Sequence, residues 1–202
     1  MATRTRSGAH TFADFLELVP EDRKADLLDG VILMASPENT DHNLVVLWLG
    51  GILNLVVGRK RLGRVTINKV AYRLSERTAP EPDLAFVRAD RLDLVRRGYV
   101  DGAPDLAVEF VSPESVERDY EDKRRLYEEA GVQEYWIIDL DESRATFLVR
   151  RGDRFVEAPL KGSVFHSSVV PGFVLDTTWL WQNPLPDMLL IVQEILAGPA
   201  NA

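Results

Sequence analysis

Two carboxylates and one lysine stand where an ordinary apolar core would not put them. Residues 82–87 read as a short strand, and alternation of faces sets Asp83, Ala85 and Val87 on one side. Residues 105–111 read as the most apolar strand of the chain. There Asp105, Ala107, Glu109 and Val111 share a face, opposite Leu106, Val108 and Phe110. Glu109 thus sits among apolar neighbours, and a carboxylate in that place is costly to bury unless it is paired or holds a cation. In the helix that follows, Val116, Tyr120, Tyr127 and Ala130 recur at helical spacing and are expected to face the sheet. Lys123 falls in the same stripe, whereas Arg124 and Arg125 point off it. Such a lysine either snorkels to solvent or turns its ammonium back toward Glu109. Asp83 and Glu109 on neighbouring strands are hard oxygen ligands suited to Mg²⁺ or Mn²⁺. An ammonium beside them orients a water or stabilises charge on a phosphoryl group. The plain alternative for the trio is a structural ion pair. Asp105 is a further candidate carboxylate, but its place at the strand start reads as solvated or turn-bonding.

Other chemistries are poorly supported. The 202-residue chain has no cysteine, hence no disulfide, thiolate metal site or thiol nucleophile. His10, His42 and His166 are too scattered for zinc spacing, and His42 reads as a polar residue near a helix cap. Gly50, Gly51 and Gly58 lack the Gly-Lys-Ser/Thr of a phosphate loop. Ser112 and Ser115 lack the glycines of a nucleophile elbow.

The elements that must position the trio follow from pattern. A frayed tail is expected over 1–10, then a helix over 12–18 capped by Thr11 and stopped before Pro20. An Asp29-Gly30 turn joins two extended segments within 27–34. A helix is expected over 42–59, capped by Thr40 or Asp41, with a buried stripe of Val45, Val46, Leu49, Leu53 and Val56. Its apolar part, 44–57, is too short to span a bilayer. Strands are expected over 64–74, 82–87, 105–111 and 133–140, with a helix over 114–130 closed by Gly131. Segments 144–149 and 154–158 complete an antiparallel meander, and 186–196 forms a last amphipathic helix. The pattern is mixed α/β (α+β in its details): a central mixed sheet with helices on at least one face and an antiparallel C-terminal extension.

Apolar residues make up 46% and charged residues 28%, and the net charge is −8. This is the balance of one soluble domain, expected in a reducing cytoplasm, with no membrane association. The negative charge disfavours constitutive nucleic-acid binding but leaves room for a local basic patch. The basic runs at 59–61, 96–97 and 123–125 read as solvated surface. Trp179, Trp181 and the apolar segment up to Leu196 suggest a cover docked on the domain or on a partner, and a homodimer is expected on that ground.

Several blocks carry a family likeness. They are Leu27-Leu28-Asp29-Gly30, Pro82-Asp83-Leu84-Ala85-Phe86-Val87, and Ala103-Pro104-Asp105-Leu106-Ala107-Val108-Glu109-Phe110-Val111-Ser112-Pro113. Lys123, Tyr127 and the run from Ala130 to Asp139 continue them. Together they resemble the Uma-two family of restriction-endonuclease-like proteins, in the PD-(D/E)xK superfamily. The likeness covers 11–178, which it marks as one nuclease-like domain, with 179–202 as a C-terminal extension. It implies a restriction-endonuclease-like core and Mg²⁺- or Mn²⁺-dependent hydrolysis of DNA. Asp83 and Glu109 match the acidic positions of the motif as metal ligands. Val111 stands where the motif lysine would be, and the resemblance implies that Lys123 substitutes from the next helix. Asp26, before the Asp-Gly turn, matches a helper position that is usually glutamate, and Ala25 replaces the usual aromatic. The rival expectation is a binding module that keeps the fold without catalysis.

Overall fold

The structure is a computed structural model that describes residues 8–35 and 39–198. Most of the expected frayed tail, and the end of the C-terminal extension, lie outside the described residues. From Gly8 the chain is already engaged: its N–H donates to the Asp29 carbonyl, and His10 N–H donates to that of Gly30.

Helix α1 (Phe12–Leu18) starts as expected. The Thr11 hydroxyl accepts from Asp14 N–H while the Asp14 carboxylate accepts from Thr11 N–H, a reciprocal capping box. Strands β1 (Ala25–Leu28) and β2 (Val31–Met34) form a hairpin. Asp29 and Gly30 take φ of 49° and 79°, the pair of positive values that a two-residue hairpin turn needs.

Helix α2 (Thr40–Lys60) is capped by Asn39, one residue earlier than the sequence indicates, through a bond from Asp41 N–H. The expected stripe is buried, and Trp48, Ile52 and Val57 join it. Gly50 lets the helix lie directly on the sheet, because a Cβ there would stand 2.7 Å from the Leu84 side chain. At 21 residues α2 is longer than the segment 44–57 suggested, and by length and composition alone it could cross a membrane. Half of its apolar window is buried inside the protein, as in a core helix.

Next come β3 (Gly63–Ile67), β4 (Ala71–Tyr72), β5 (Leu84–Arg88), β6 (Tyr99–Val100) and β7 (Leu106–Val111). The single strand expected over 64–74 is broken. Asn68 and Lys69 take φ of 45° and 46°, and the chain leaves the main sheet to pair β4 with β6. Helix α3 (Lys123–Glu129) then leads to β8 (Glu134–Asp139), β9 (Arg144–Arg151) and β10 (Arg154–Glu157). The central six-stranded sheet runs β10-β9-β8-β7-β5-β3. Only β7 and β8 are parallel in it, the expected result of a crossover through α3. The antiparallel pair β11 (Val164–His166) and β12 (Val174–Asp176) follows, and the C-terminal extension then holds α4 (Met188–Ala197).

The sheet is covered on both faces. On one, Leu84, Phe86, Leu106, Val108 and Trp136 pack against α2 and the C-terminal elements. On the other, Ala107, Tyr135 and Ile137 pack against Tyr127 of α3. Trp179 and Trp181 pack on their own core, and the Trp48 indole donates to the Pro186 carbonyl at 2.8 Å. The tryptophans therefore offer no ground for a dimer. The exposed apolar residues of the same region are Leu44, Leu47, Leu189 and Leu190.

A buried carboxylate fastens the loop between β11 and β12. Glu134 accepts from Trp136 Nε1 at 3.2 Å, Ser167 Oγ at 2.9 Å and Ser168 Oγ at 2.6 Å, and also from the Ser168 and Val169 backbone. Replacing it would leave the buried Trp136 indole N–H without its acceptor and release the half-buried donors of Ser167 and Val169. Glu134→Ala is expected to lower unfolding free energy by about 3 kcal/mol, measured by urea denaturation. Unchanged stability would show that these bonds anchor nothing.

Candidate active site

The face of the sheet beneath α3 carries the predicted carboxylates. Leu84 pairs with Val108 and Ala85 with Ala107, so one step further sets Asp83 across from Glu109. Both are buried and line one cavity of about 250 Å³. Asp26 of β1 and Lys123 of α3 close over it, and Lys123 is 1% exposed. The reading of 123–125 as solvated surface fails at Lys123.

Lys123 Nζ stands 2.9 Å from Glu109 Oε1, 3.0 Å from Asp26 Oδ2 and 3.8 Å from Asp119 Oδ1. Its ammonium thus turns inward, as the second of the two sequence readings holds. The local cause is a π-turn, Arg118–Asp122, in which Lys123 N–H reaches back five residues to the Arg118 carbonyl. One inserted residue rotates the preceding turn by roughly 100°. The turn brings Asp119 and Arg118 to the site and leaves Val116, expected to face the sheet, 45% exposed. Arg125 instead pairs with Asp29 at 2.5 Å.

Three members escaped sequence reasoning. Lys24 pairs with Asp83 Oδ1, while Asp83 Oδ2 accepts from Phe110 N–H at 2.7 Å. A signal existed, since Lys24 stands two residues before Asp26 and so shares its face. Arg118 and Asp119 face each other at 3.6 Å, yet Arg118 Nε and Asp119 Oδ1 are buried without a hydrogen-bond partner. Asp119 was legible only as i−4 from Lys123. Tyr127, placed toward the sheet by its spacing, donates its hydroxyl to Glu109 Oε1 at 2.8 Å.

Asp105 lies elsewhere and is not solvated. It is buried, accepts from Arg88 N–H at 2.9 Å, and pairs with Arg91 at 2.9 Å. His42 sits on the cavity wall with Nε2 3.1 Å from the Val111 carbonyl. A carbonyl only accepts, so Nε2 carries the proton and the ring is held as a structural donor.

The cluster joins Asp26, Asp83, Glu109 and Asp119 with Lys24, Arg118 and Lys123. If all were ionised, negative charge would exceed positive by one. Burial, with the neighbouring Asp83 and Asp119 charges, lifts the Glu109 carboxyl to about 8 despite Lys123. Burial also raises Asp119. Burial opposes ionisation of Asp26 too, but Lys123, Arg118 and Lys24 outweigh it and hold its pKa below the usual value. Burial works against the Lys123 ammonium, and Asp26, Glu109 and Asp119 overcome it, so its pKa is raised. Glu81, whose N–H donates to Asp26 Oδ1, is a further buried carboxyl beside the cluster, and burial pushes it up to about 7.

A hard divalent cation suits this donor set, because the buried carboxyls outnumber the cations around them. Asp83 and Glu109 would be its protein ligands. Among the described residues no three His, Cys, Asp or Glu side chains are grouped as a metal set. The remaining positions would fall to water and substrate oxygens, as is common for Mg²⁺.

With this geometry in view, the comparisons with known proteins fall into place. The Uma2 family profile, described as "Putative restriction endonuclease", matches residues 12–178. The chain belongs to this family. Its superfamily is PD-(D/E)xK. A solved structure from Anabaena variabilis, titled as a "putative nuclease belonging to DUF820", superposes with a TM-score of 0.70 at 20% identity. The match covers 86% of this chain and 98% of that one, and it shows a shared fold. No curated protein matches the chain.

Two outcomes follow from the electrostatics. Glu109 binds its proton more tightly folded than unfolded, so stability is fully present below the ordinary value of 4.5 and is lost as pH rises through about 8. Thermal melts in chelator are expected to show that fall, to which Glu81, raised to about 7, also contributes, and Glu109→Gln should reduce it; an equal slope in both proteins would refute the assignment. Lys24 competes with any cation for Asp83 Oδ1. Lys24→Met is therefore expected to tighten Mn²⁺ binding roughly tenfold, read by calorimetry.

Proposed function

We propose that the chain is a metal-dependent DNA endonuclease in which Asp83 and Glu109 hold Mg²⁺ or Mn²⁺ and Lys123 replaces the motif lysine. One observation carries this reading: Asp83 and Glu109 oppose each other in one cavity, with the Lys123 ammonium 2.9 Å from the Glu109 carboxylate. Val111, at the motif-lysine position, is buried and apolar, so the positive charge arrives from the helix instead.

When bound, the metal would polarise the phosphate and lower the pKa of a bound water. The chain's residues supply the rest. Lys123 keeps its proton, because its pKa is raised, so it acts as a fixed positive charge and not as a base. Asp26 and Asp119 hold that ammonium in place. Tyr127 orients the Glu109 carboxylate through its 2.8 Å bond. Lys24 and Arg118, on the cavity wall, offer further positive charge to a phosphodiester. The proposed working form is cytoplasmic and homodimeric, with a transient DNA partner; two-fold symmetry suits cleavage of both strands.

A second reading, a binding module without catalysis, draws on two observations. Lys24 already neutralises Asp83, and no larger metal set is grouped among the described residues.

The variants separate the two. Asp83→Asn and Glu109→Gln are expected to lose Mn²⁺ binding and cleavage together. Lys123→Ala should cut cleavage per folded molecule by roughly 10²-fold or more while Mn²⁺ still binds. It should also destabilise the protein, because it strips a counter-ion from three buried carboxylates. Cleavage is best followed on single-stranded, supercoiled and modified DNA, with light scattering of the same samples to count copies. A protein that binds no Mn²⁺ at millimolar levels would remove the nuclease reading.

A further inference from the structure

A second cavity, of about 540 Å³, adjoins the first, and Asn39, His42 and Asp141 line both. Their linings differ in charge. Lys24, Arg118 and Lys123 line the first, among carboxylates, whereas among the described residues no lysine or arginine lines the second. The second instead has the carboxylates of Asp41 and Asp141 and the amides of Gln182 and Asn183, set against Trp181 and leucine side chains. The start of α2 lies here, but Asn39 already caps it and Asp41 adds negative charge to its first turn. The second cavity therefore offers a phosphate no counter-charge, whereas the first offers three cations beside the carboxylates proposed to hold a metal.

What suits the second cavity is a flat, uncharged group with hydrogen-bonding edges. Trp181 is half-buried at the end of a 3₁₀ turn, Thr177–Trp181, which Asp176 caps by accepting from Thr178 N–H at 3.0 Å. Its indole offers a stacking surface held in place by the core. Gln182 and Asn183 carry both donors and acceptors, while Asp41 and Asp141 accept from ring N–H or exocyclic amino groups. The volume lies within the usual range for small-ligand sites and takes a nucleobase with its sugar.

We propose that this second cavity receives the unstacked base of the nucleotide whose phosphate enters the first, so the substrate is single-stranded DNA or a nucleotide everted from a duplex. This rests on the phosphodiester reading of the first cavity, and it adds the form of the substrate. A continuous duplex keeps its bases stacked and presents only phosphates and groove edges. A net charge of −8 gives little help in following such a duplex by phosphate contacts alone. Stacking on an aromatic side chain is tolerant of sequence, and a single strand meets little unstacking penalty.

The test uses probes with and without phosphate. Binding of the four deoxynucleosides is followed by saturation-transfer NMR. Binding of a short single strand, the same strand with one abasic site, and the matching duplex is followed by anisotropy, with Ca²⁺ in place of Mg²⁺. Nucleosides are expected to bind, and the single strand to bind roughly tenfold tighter than the duplex. Trp181→Ala should weaken nucleosides and the intact strand by roughly tenfold, the scale of one base stack. Trp181→Phe should retain most of the affinity. Gln182 is exposed, so Gln182→Ala tests the amide edge without disturbing the fold. Nucleoside binding that depends on Trp181, in a protein that binds no metal and cleaves nothing, would uphold the base cavity and remove the nuclease reading. Cleavage that ignores Trp181→Ala and the abasic site would do the reverse. No nucleoside binding at about 10 mM, a free energy near −3 kcal/mol, would overturn the proposal.

Discussion

The Lys123 ammonium, enclosed by Asp26, Glu109 and Asp119, holds the functional half of the molecule together. These groups come from three separate elements: the β1 hairpin, the central strand β7, and the helical crossover before β8. None could be buried alone without a large desolvation penalty, and together they nearly neutralise one another. The α3 crossover, the hairpin and the edge of the sheet are thus tied at one point. Asp119, four residues before Lys123, would share its side in any helix, and the π-turn brings Arg118, five residues before, to that side as well.

That compensation is incomplete. The buried carboxyls outnumber the cations around them, and burial raises the Glu109 and Glu81 carboxyls. Lys24 pairs with Asp83 and offsets part of the excess. The charged cluster lies on one side of the sheet, while the other side is apolar from β5 through β8 except for Glu134, and carries α2 and α4.

Much of this was legible in the residues. Strand alternation alone put Asp83 and Glu109 on matching faces, and helical spacing placed Lys123 in an inward stripe among apolar positions. The capping box at Thr11, the Asp29-Gly30 turn and the crossover from β7 to β8 were equally plain, because each depends on neighbours within a few positions. Val116 was misplaced because one extra residue in a turn shifts every earlier position around the axis. The 64–74 segment was read as unbroken because nothing in its composition shows that Asn68 and Lys69 adopt left-handed backbone. Asp105 looked solvated because the two arginines that bury it are on a connection 14 to 17 residues earlier.

By itself, then, the sequence determined the mixed α/β order and the facing of Asp83, Glu109 and Lys123 toward one side, which rest on local period, and the likeness to a nuclease-like family, which rests on motif. The tertiary structure decided which cations meet which carboxylates. It brought Lys24 to Asp83, 59 residues away, and Asp26 to Lys123, and it docked the tryptophans on their own core. The physical reason is that charge pairing acts through space across elements. A chain read along its length shows which groups are costly to bury, and only the packed fold shows what compensates them.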